Sequence, residues 1–210
     1  MRELHAPALP AGQGERLTSA EYRSDFRERN TAIRNGDSWK LERLQHFEEQ
    51  GIPSRDALSR GDWQEALRLF EGREEDLREA ARDADRRGSA FHRVRVVEEP
   101  LTPYVQWELH SLRQRAACGH RIRVLPVAAV VAAESVGMLP ELTILDERTL
   151  YRVLYTDAGV PDGAIRHTDP AVVGPWAAYL RELYAAGEDV ESYFDRVVAH
   201  LPPPVLSRAE

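Results

Sequence analysis

The segment FHRVRVVEEPLTPYVQWELHSLRQRAACGHRIRVLP, which covers Phe91–Pro126, decides the predicted fold. Residues 91–97 alternate between two sets of side chains, and a period of two is typical of a β-strand. Thr102 is a good N-cap for the helix that follows it, and Gly119 is a typical helix terminator. A second strand is predicted at 121–125. A strand, a helix and a strand of these lengths predict a parallel pair joined by a right-handed crossover.

The rest of the chain adds elements on both sides of this unit. Downstream, turn residues separate three stretches of strand composition, which predicts an antiparallel meander that completes the sheet. An Ala/Val-rich segment at 127–137 predicts a short buried helix, and SWKLERLQHF at 38–47 predicts a short strand at its start, with a helical turn as the alternative. The meander strands are predicted at Leu142–Asp146, Leu150–Thr156 and Ala164–Thr168, and the flanking helices at 19–34, 54–59, 62–86, 170–186 and 189–201.

These elements predict a mixed α/β fold, with α+β character. A strand–helix–strand crossover and an antiparallel meander form one mixed sheet, and N-terminal and C-terminal helices pack on it. Gly72 lies inside one predicted helix and favours a kink or a break there. The predicted divisions are a disordered tail at 1–16, an N-terminal helical section at 17–88, an α/β core domain with the C-terminal helices at 89–201, and a tail at 202–210.

Composition and charge restrict the function classes. The 210 residues carry a formal net charge of −7, which disfavours bulk binding to nucleic acid or to anionic membranes. Lys40 is the single lysine, so the cations are almost all arginine. Cys118 is the single cysteine, which excludes an intramolecular disulfide and suits a structural role near a helix C-terminus. Because no apolar run suits a membrane span or a signal peptide, we expect a soluble cytoplasmic protein.

Four arginines form the first candidate site. If the two crossover strands pair in one sheet, alternation predicts that these arginines share one face and that the crossover helix packs on the opposite face. Guanidinium groups bind carboxylates and phosphates through paired hydrogen bonds, so this face predicts a site for a small anion. The alternative is that the arginines pair with carboxylates of the protein, for example from the acidic segment at 71–85. The four are Arg93, Arg95, Arg121 and Arg123.

One side of the crossover helix forms the second candidate site. A second stripe, centred about 110° away from the apolar stripe of the helix, carries Tyr104, Trp107, Glu108, Ser111 and Arg115. Two aromatic rings with a carboxylate beside them predict a binding wall. The alternative is that the rings pack under the N-terminal helices while Glu108 pairs with an arginine. A simple crossover arrangement places this stripe and the four arginines on different sides of the sheet.

Sequence motifs for catalysis and for metal binding are missing. The histidines show no H-x-x-x-H or H-E-x-x-H spacing, and the chain has no G-x-S-x-G, G-x-G-x-x-G or P-loop pattern. We therefore expect neither a metal site nor a cofactor. Asp146 stands at a predicted strand end, where carboxylates often act, and it suits a turn equally well.

The segments RVRVVEEPLTPYVQWEL, RIRVLP and LTILDERTLYRVLYTDAG resemble an uncharacterised actinobacterial family whose members are often encoded beside helix-turn-helix regulators. The resemblance covers roughly residues 38–185. It implies the fold and a regulatory context, and the family has no established activity. The matching positions are Arg93, Arg95, Pro100, Tyr104, Trp107, Glu108, Gly119 and Asp146.

The predicted order of strands and helices also resembles one half of the phospholipase D fold, which occurs in a catalytically inactive form as a ligand-sensing domain. The catalytic pattern of that fold is H-x-K with a downstream Asp. None of His92, His110 and His120 is followed by a lysine two residues later. The absence of the H-x-K pattern contradicts phospholipase D-type catalysis.

The sequence thus predicts a regulatory or ligand-sensing protein that is not a catalyst. Its expected partners are a small anionic ligand or a protein such as a helix-turn-helix regulator, without direct contact to nucleic acid or membrane. The alternative is a small enzyme of specialised metabolism, in which Glu108 or a histidine is the general acid or base and arginines hold an anionic substrate. The predicted ligand-binding residues are Arg93, Arg95, Tyr104, Trp107, Glu108, Arg123 and Asp146.

Overall fold

One mixed β-sheet organises the molecule. The structure is a computed structural model, and it describes residues 5–10, 12–48 and 51–206. Within these residues the sheet has eight strands in the order β1-β7-β6-β5-β2-β3-β4-β8. The strands are β1 (Glu15–Leu17), β2 (Asp37–Glu42), β3 (Ala90–Val97), β4 (Arg121–Pro126), β5 (Leu142–Leu145), β6 (Thr149–Tyr155), β7 (Pro161–His167) and β8 (Glu188–Asp189).

The helices connect the strands and cover both faces of the sheet. The long helix that was predicted at 62–86 is split near Gly72, where a kink or break was expected. A π-helical turn, Phe194–Val198, follows the last α-helix. The α-helices are α1 (Ser19–Ala32), α2 (Pro53–Ser59), α3 (Trp63–Glu71), α4 (Glu74–Arg86), α5 (Pro103–Ala117), α6 (Pro170–Ala186) and α7 (Val190–Tyr193).

Strand pairing confirms the predicted fold class. β2, β3 and β4 are parallel neighbours, joined through α2–α4 and through α5. β5, β6 and β7 form the predicted antiparallel meander, which joins the parallel part where β5 pairs with β2. β2 comes from the predicted N-terminal helical section at 17–88, and it pairs with β3 of the predicted core domain in the same sheet.

Two segments differ from their predicted structure. Only Val127–Ala129 of the apolar segment at 127–137 is helical, as a single 3-10 turn, and Val136 is fully exposed. Arg43 holds the following turn because its guanidinium donates to both carboxylate oxygens of Glu134. At the N-terminus, the strand Glu15–Leu17 begins inside the predicted tail, of which residues 1–4 and 11 lie outside the described residues.

The two faces of the sheet are covered by different helices. α6 packs on Val94 and Val96 of β3 and on Leu41 of β2, and these residues belong to one apolar cluster. α5 packs on the other face against Ile122 and Val124 of β4, and α2 and α3 pack outside α5 in a second cluster. α1 covers β6 and β7 on the same face as α5. A gap between α1 and α5 therefore lies above β2.

α5 begins at a fixed position because its first turn is capped. The Thr102 hydroxyl accepts a hydrogen bond from the Val105 amide at 3.1 Å and donates one to the Gln45 carbonyl at 2.8 Å. Pro103 occupies the first helical position, where no amide hydrogen is needed. The predicted N-cap at Thr102 is confirmed, and its hydrogen bond to Gln45 also links the start of α5 to the loop after β2.

None of the helices in the described part of the chain combines the length and the apolar composition that crossing a membrane requires.

Candidate functional site

The four arginines of β3 and β4 do not share a face. Arg93 is paired with Ile122 in the parallel register, and Arg95 with Val124, so these residues face α5. Arg123 is paired with Val94 and faces α6. The predicted four-arginine face is therefore wrong. Alternation fixes which residues of one strand share a side, but the relative phase of two strands depends on their pairing register.

Arg123 and Asp146 have structural partners. The Arg123 guanidinium donates to the Gly187 carbonyl at 3.0 Å and lies over the ring of Tyr184, 5.1 Å from its centroid. Asp146 has a φ of 50° in the turn between β5 and β6, and its amide donates to the Ser38 hydroxyl at 3.3 Å. Asp146 therefore occupies a turn, which was one of its two predicted roles.

The aromatic residues of α5 lie in the interior. Tyr104 and Trp107 are each only 3% exposed. The Trp107 indole donates to the Ser54 hydroxyl of α2 at 2.8 Å, and the ring of Tyr104 packs edge-on against Phe47. These contacts correspond to the alternative in which the rings pack under the N-terminal helices.

Arg95 and Glu108 form a buried ion pair between the sheet and α5. The Arg95 Nε donates to Glu108 at 2.7 Å, and the Arg95 side chain is fully buried. Burial raises the pKa of Glu108, and the charge of Arg95 opposes this effect. The prediction that this stripe and these arginines lie on different sides of the sheet is wrong, because α5 packs on the face that carries Arg93 and Arg95.

Glu42 of β2 is the centre of a second charged group on the same face. Its carboxylate lies 2.6 Å from the Lys40 ammonium and 3.1 Å from Arg93. Burial alone would raise the pKa of Glu42. The charges of Arg93, Lys40 and Arg95 outweigh this effect and lower that pKa to about 2. Glu42 therefore stays ionised with three cations around it.

Glu141 adds a carboxyl group beside this cluster. One of its oxygens accepts hydrogen bonds from the backbone amides of Arg43 and Leu44, both at 2.6 Å. Burial, followed by the charge of Glu42, raises the pKa of Glu141 to about 7 despite these hydrogen bonds. Glu141 can therefore donate or accept a proton near neutral pH.

A cavity of about 410 Å³, here called the arginine cavity, opens between α1, α4 and the C-terminal end of α5. The start of β3 forms its floor, with Arg93 among the lining residues. Arg115 and His120 line the side that α5 provides. On the opposite rim, Arg87 donates to Asp83 and to a backbone carbonyl of α1. The cavity thus brings basic side chains from three elements together.

His120 has a defined protonation state in this cavity. Its Nε2 lies 3.1 Å from the Leu77 carbonyl oxygen. Because a carbonyl can only accept, Nε2 carries the hydrogen and Nδ1 is the acceptor of the ring. Burial, followed by the charge of Arg115, lowers the pKa of His120, so the ring is neutral at pH 7.

A second cavity of about 440 Å³, here called the lysine cavity, lies between α1 and the strands β2, β5 and β6. Lys40 and Glu141 line it together with Tyr22 and Tyr155. Lys40 lines this cavity and Arg93 lines the arginine cavity, while both bind Glu42. One carboxylate therefore serves as the counter-ion for a cation of each cavity.

In residues 5–10, 12–48 and 51–206, no group of three or more histidine, cysteine or acidic side chains is placed to hold a metal ion. Each of the two cavities has a few charged groups against a partly apolar wall, which is typical of sites for small polar molecules.

These features define a mixed α/β domain with a charged cleft between the helices that cover one face of its sheet. A family model described as a domain of unknown function (DUF6879) matches residues 24–195, so the chain belongs to this family. No curated protein and no solved structure matches the chain.

Sequence reasoning missed Lys40, Glu42 and Glu141 as site residues. A signal for the first two was present in the segment Ser38–Glu42, SWKLE, where polar and apolar residues alternate. That alternation places Lys40 and Glu42 on one side of a strand, opposite Trp39 and Leu41. The position of Glu141 depends on the pairing of β5 with β2, which the sequence does not display.

Proposed function

We propose that this protein is a regulatory, ligand-sensing domain that binds a small anion in the arginine cavity and does not catalyse a reaction. One observation carries the proposal. Arg93 and Arg115 line one open cavity of about 410 Å³ between α1, α4 and α5. This volume lies in the range of known small-molecule sites, roughly 300–1,000 Å³.

The charges around the arginine cavity favour a carboxylate or phosphate. The carboxylate of Glu42 binds both Arg93 and Lys40, so it does not neutralise both cations. Arg115 adds a second guanidinium at the other wall. A bound anion supplies the missing negative charge and accepts charge-assisted hydrogen bonds, which are stronger than neutral ones.

The regulatory part of the proposal rests on the family resemblance. The members of the actinobacterial family that the sequence resembles are often encoded beside helix-turn-helix regulators, and such a regulator is the partner that we propose. The net charge of −7 disfavours direct binding to nucleic acid, so DNA contact would belong to the partner. α1 is the element that can report ligand binding, because it lines both cavities and has no buried residue of its own.

A second candidate function is a small enzyme, and His120 is the observation that favours it. Its neutral ring has Nδ1 as an acceptor and lies in the cavity that Arg93 and Arg115 line. A neutral imidazole beside groups that hold an anionic substrate is suited to general base catalysis. Glu108, the other predicted acid or base, is paired with Arg95 in the interior and does not line this cavity.

Titration of the protein with inorganic phosphate and with citrate, followed by calorimetry and by NMR, tests the proposal. We expect one of these anions to bind and the Arg115→Met variant to bind it about tenfold more weakly, because a hydrogen bond to a charged group contributes roughly 1.5 kcal/mol. Methionine keeps most of the apolar stem of the side chain, so the fold is retained.

Arg113→Met is the matched control, because Arg113 lies on the same helix and points toward Asp195 and Phe194 instead. It should bind the anion as the unchanged protein does. Equal affinity of the Arg113 and Arg115 variants, or binding of neither anion, contradicts the proposed site. Conversion of citrate into another compound during the NMR titration favours the enzyme.

A further inference from the structure

We infer that the lysine cavity is a second binding site, and that its ligand is a small planar carboxylic acid. Four observations support the inference: the unbalanced charge at Lys40, the hydrogen-bonding capacity of Glu141, the aromatic walls, and the size of the cavity. The last three concern the lysine cavity alone, whereas Lys40 shares the charge of Glu42 with Arg93 of the arginine cavity.

The cations around Glu42 exceed the carboxylate charge that is available to them. Lys40 and Arg93 both bind Glu42, and the positive charge of the fully buried Arg95 also lowers the pKa of Glu42. Glu108 is paired with Arg95 at 2.7 Å, and the charge of Arg93 also acts on it. Lys40 has about a quarter of its side chain exposed, and it lines the cavity. A ligand carboxylate would complete the neutralisation of Lys40.

Glu141 can receive the same carboxylate. One of its oxygens is held by two backbone amides, from Arg43 and Leu44. Burial and the charge of Glu42 raise the pKa of this carboxyl to about 7, so it is partly protonated near neutral pH. A protonated carboxyl donates a hydrogen bond to a carboxylate. A ligand amine would instead face the ammonium group of Lys40.

The walls of the lysine cavity favour a planar ligand. Tyr22 and Tyr155 contribute aromatic rings, and Val153 contributes an apolar surface. Partial burial raises the pKa of the Tyr22 hydroxyl, so it stays protonated, and its side chain also hydrogen-bonds Thr143. Arg23 is exposed and belongs to the lining, where it can attract an anion from solvent. A volume of about 440 Å³ accommodates a molecule with one or two rings.

Benzoate and its neutral analogue benzamide are the probes that test this inference. Each is titrated into the full-length, ¹⁵N-labelled protein, and amide shifts are followed. We expect benzoate to move the amides of Tyr22 and Gly163, and benzamide to bind at least about tenfold more weakly because it lacks the charge that Lys40 recognises. Lys40→Met should weaken benzoate binding by about the same factor, whereas Arg113→Met should leave it unchanged.

A variant that fills the cavity tests whether benzoate binding needs the volume of the cavity as well as the charge of Lys40. Val153→Phe places a ring in the cavity without changing any charge, so we expect it to abolish benzoate binding while amide shifts away from the cavity stay unchanged. Equal binding of benzoate and benzamide overturns the inference. Benzoate binding that Lys40→Met and Val153→Phe both leave intact also overturns it, as does the absence of amide shifts at any benzoate concentration that remains soluble.

Discussion

The two faces of the sheet bury different kinds of side chain. On the α6 face, β2 and β3 bury Leu41, Val94 and Val96 against an apolar helix. On the other face, the same two strands bury Glu42 and Arg95, which are 4% and 0% exposed. Because alternate residues of a strand point to opposite faces, β2 and β3 supply the apolar side chains of one face and the charged side chains of the other.

This difference teaches where stability and function are located in the molecule. An apolar face contributes stability in proportion to the area that it removes from water. A buried ion pair contributes little net stability and has a large cost when one partner is lost. Charged residues that are kept in the interior beside two cavities therefore suit a binding role better than a stabilising one.

Loss of the apolar contacts should have the largest effect on stability. Trp176→Ala removes a side chain of α6 that is 2% exposed and contacts Tyr179 edge-on. We expect the free energy of unfolding to fall by about 5 kcal/mol, at the upper end for a buried tryptophan. Denaturant unfolding followed by fluorescence measures it. A loss below about 1 kcal/mol would mean that α6 is not the stabilising layer.

Breaking the buried ion pair should have the next largest effect. Arg95→Met leaves Glu108 without its partner, and we expect a loss of about 4 kcal/mol of unfolding free energy. Adding Glu108→Leu removes the unpaired carboxylate and should recover most of that loss. A double-mutant cycle from denaturant unfolding provides the coupling energy. If the two losses simply add, the pair is not coupled in the way that the 2.7 Å contact indicates.

The smallest of the three effects depends on pH. The raised pKa of Glu141 means that its contribution to stability is present below pH 4.5, the ordinary value, and is lost as pH rises through about 7. Glu141→Gln removes this dependence and keeps an oxygen for the amides of Arg43 and Leu44. Between pH 4.5 and 7.5 the stability of the variant should therefore rise by about 3 kcal/mol relative to the unchanged protein.

Unfolding curves of both proteins at matched pH values measure this difference, and other groups such as His110 cancel from it. Parallel pH profiles of the two proteins would show that Glu141 has an ordinary pKa. The same result would remove Glu141 as a hydrogen-bond donor in the lysine cavity.

Local patterns made most of the secondary structure predictable. Thr102, Pro103 and Gly119 marked the ends of α5 because capping and helix termination depend on neighbouring residues. The apolar segment at 127–137 was misjudged because its hydrophobic composition does not reveal that Arg43, far away in the sequence, binds Glu134 in a turn. Contacts between residues that are far apart in the sequence do not change the local hydrophobic periodicity, so they cannot be predicted from it.

The candidate site was less predictable than the fold. The sequence pointed to Arg93, Arg95 and Glu108, and the structure brings these residues to one side of the sheet. It also pointed to Arg123 and Asp146, which the register and a turn place elsewhere. Residue type shows which side chains can bind an anion, but strand register decides which of them meet.

The sequence by itself determined the mixed α/β class, the strand–helix–strand unit at Phe91–Pro126 and the meander after it, because periodicity, caps and turns are local properties. Only the tertiary structure decided the phase between β3 and β4, the pairing of Arg95 with Glu108, and the position of Glu42 between two cavities. These features depend on how distant segments pair and pack, and a one-residue change of register would move every side chain of a strand to the other face.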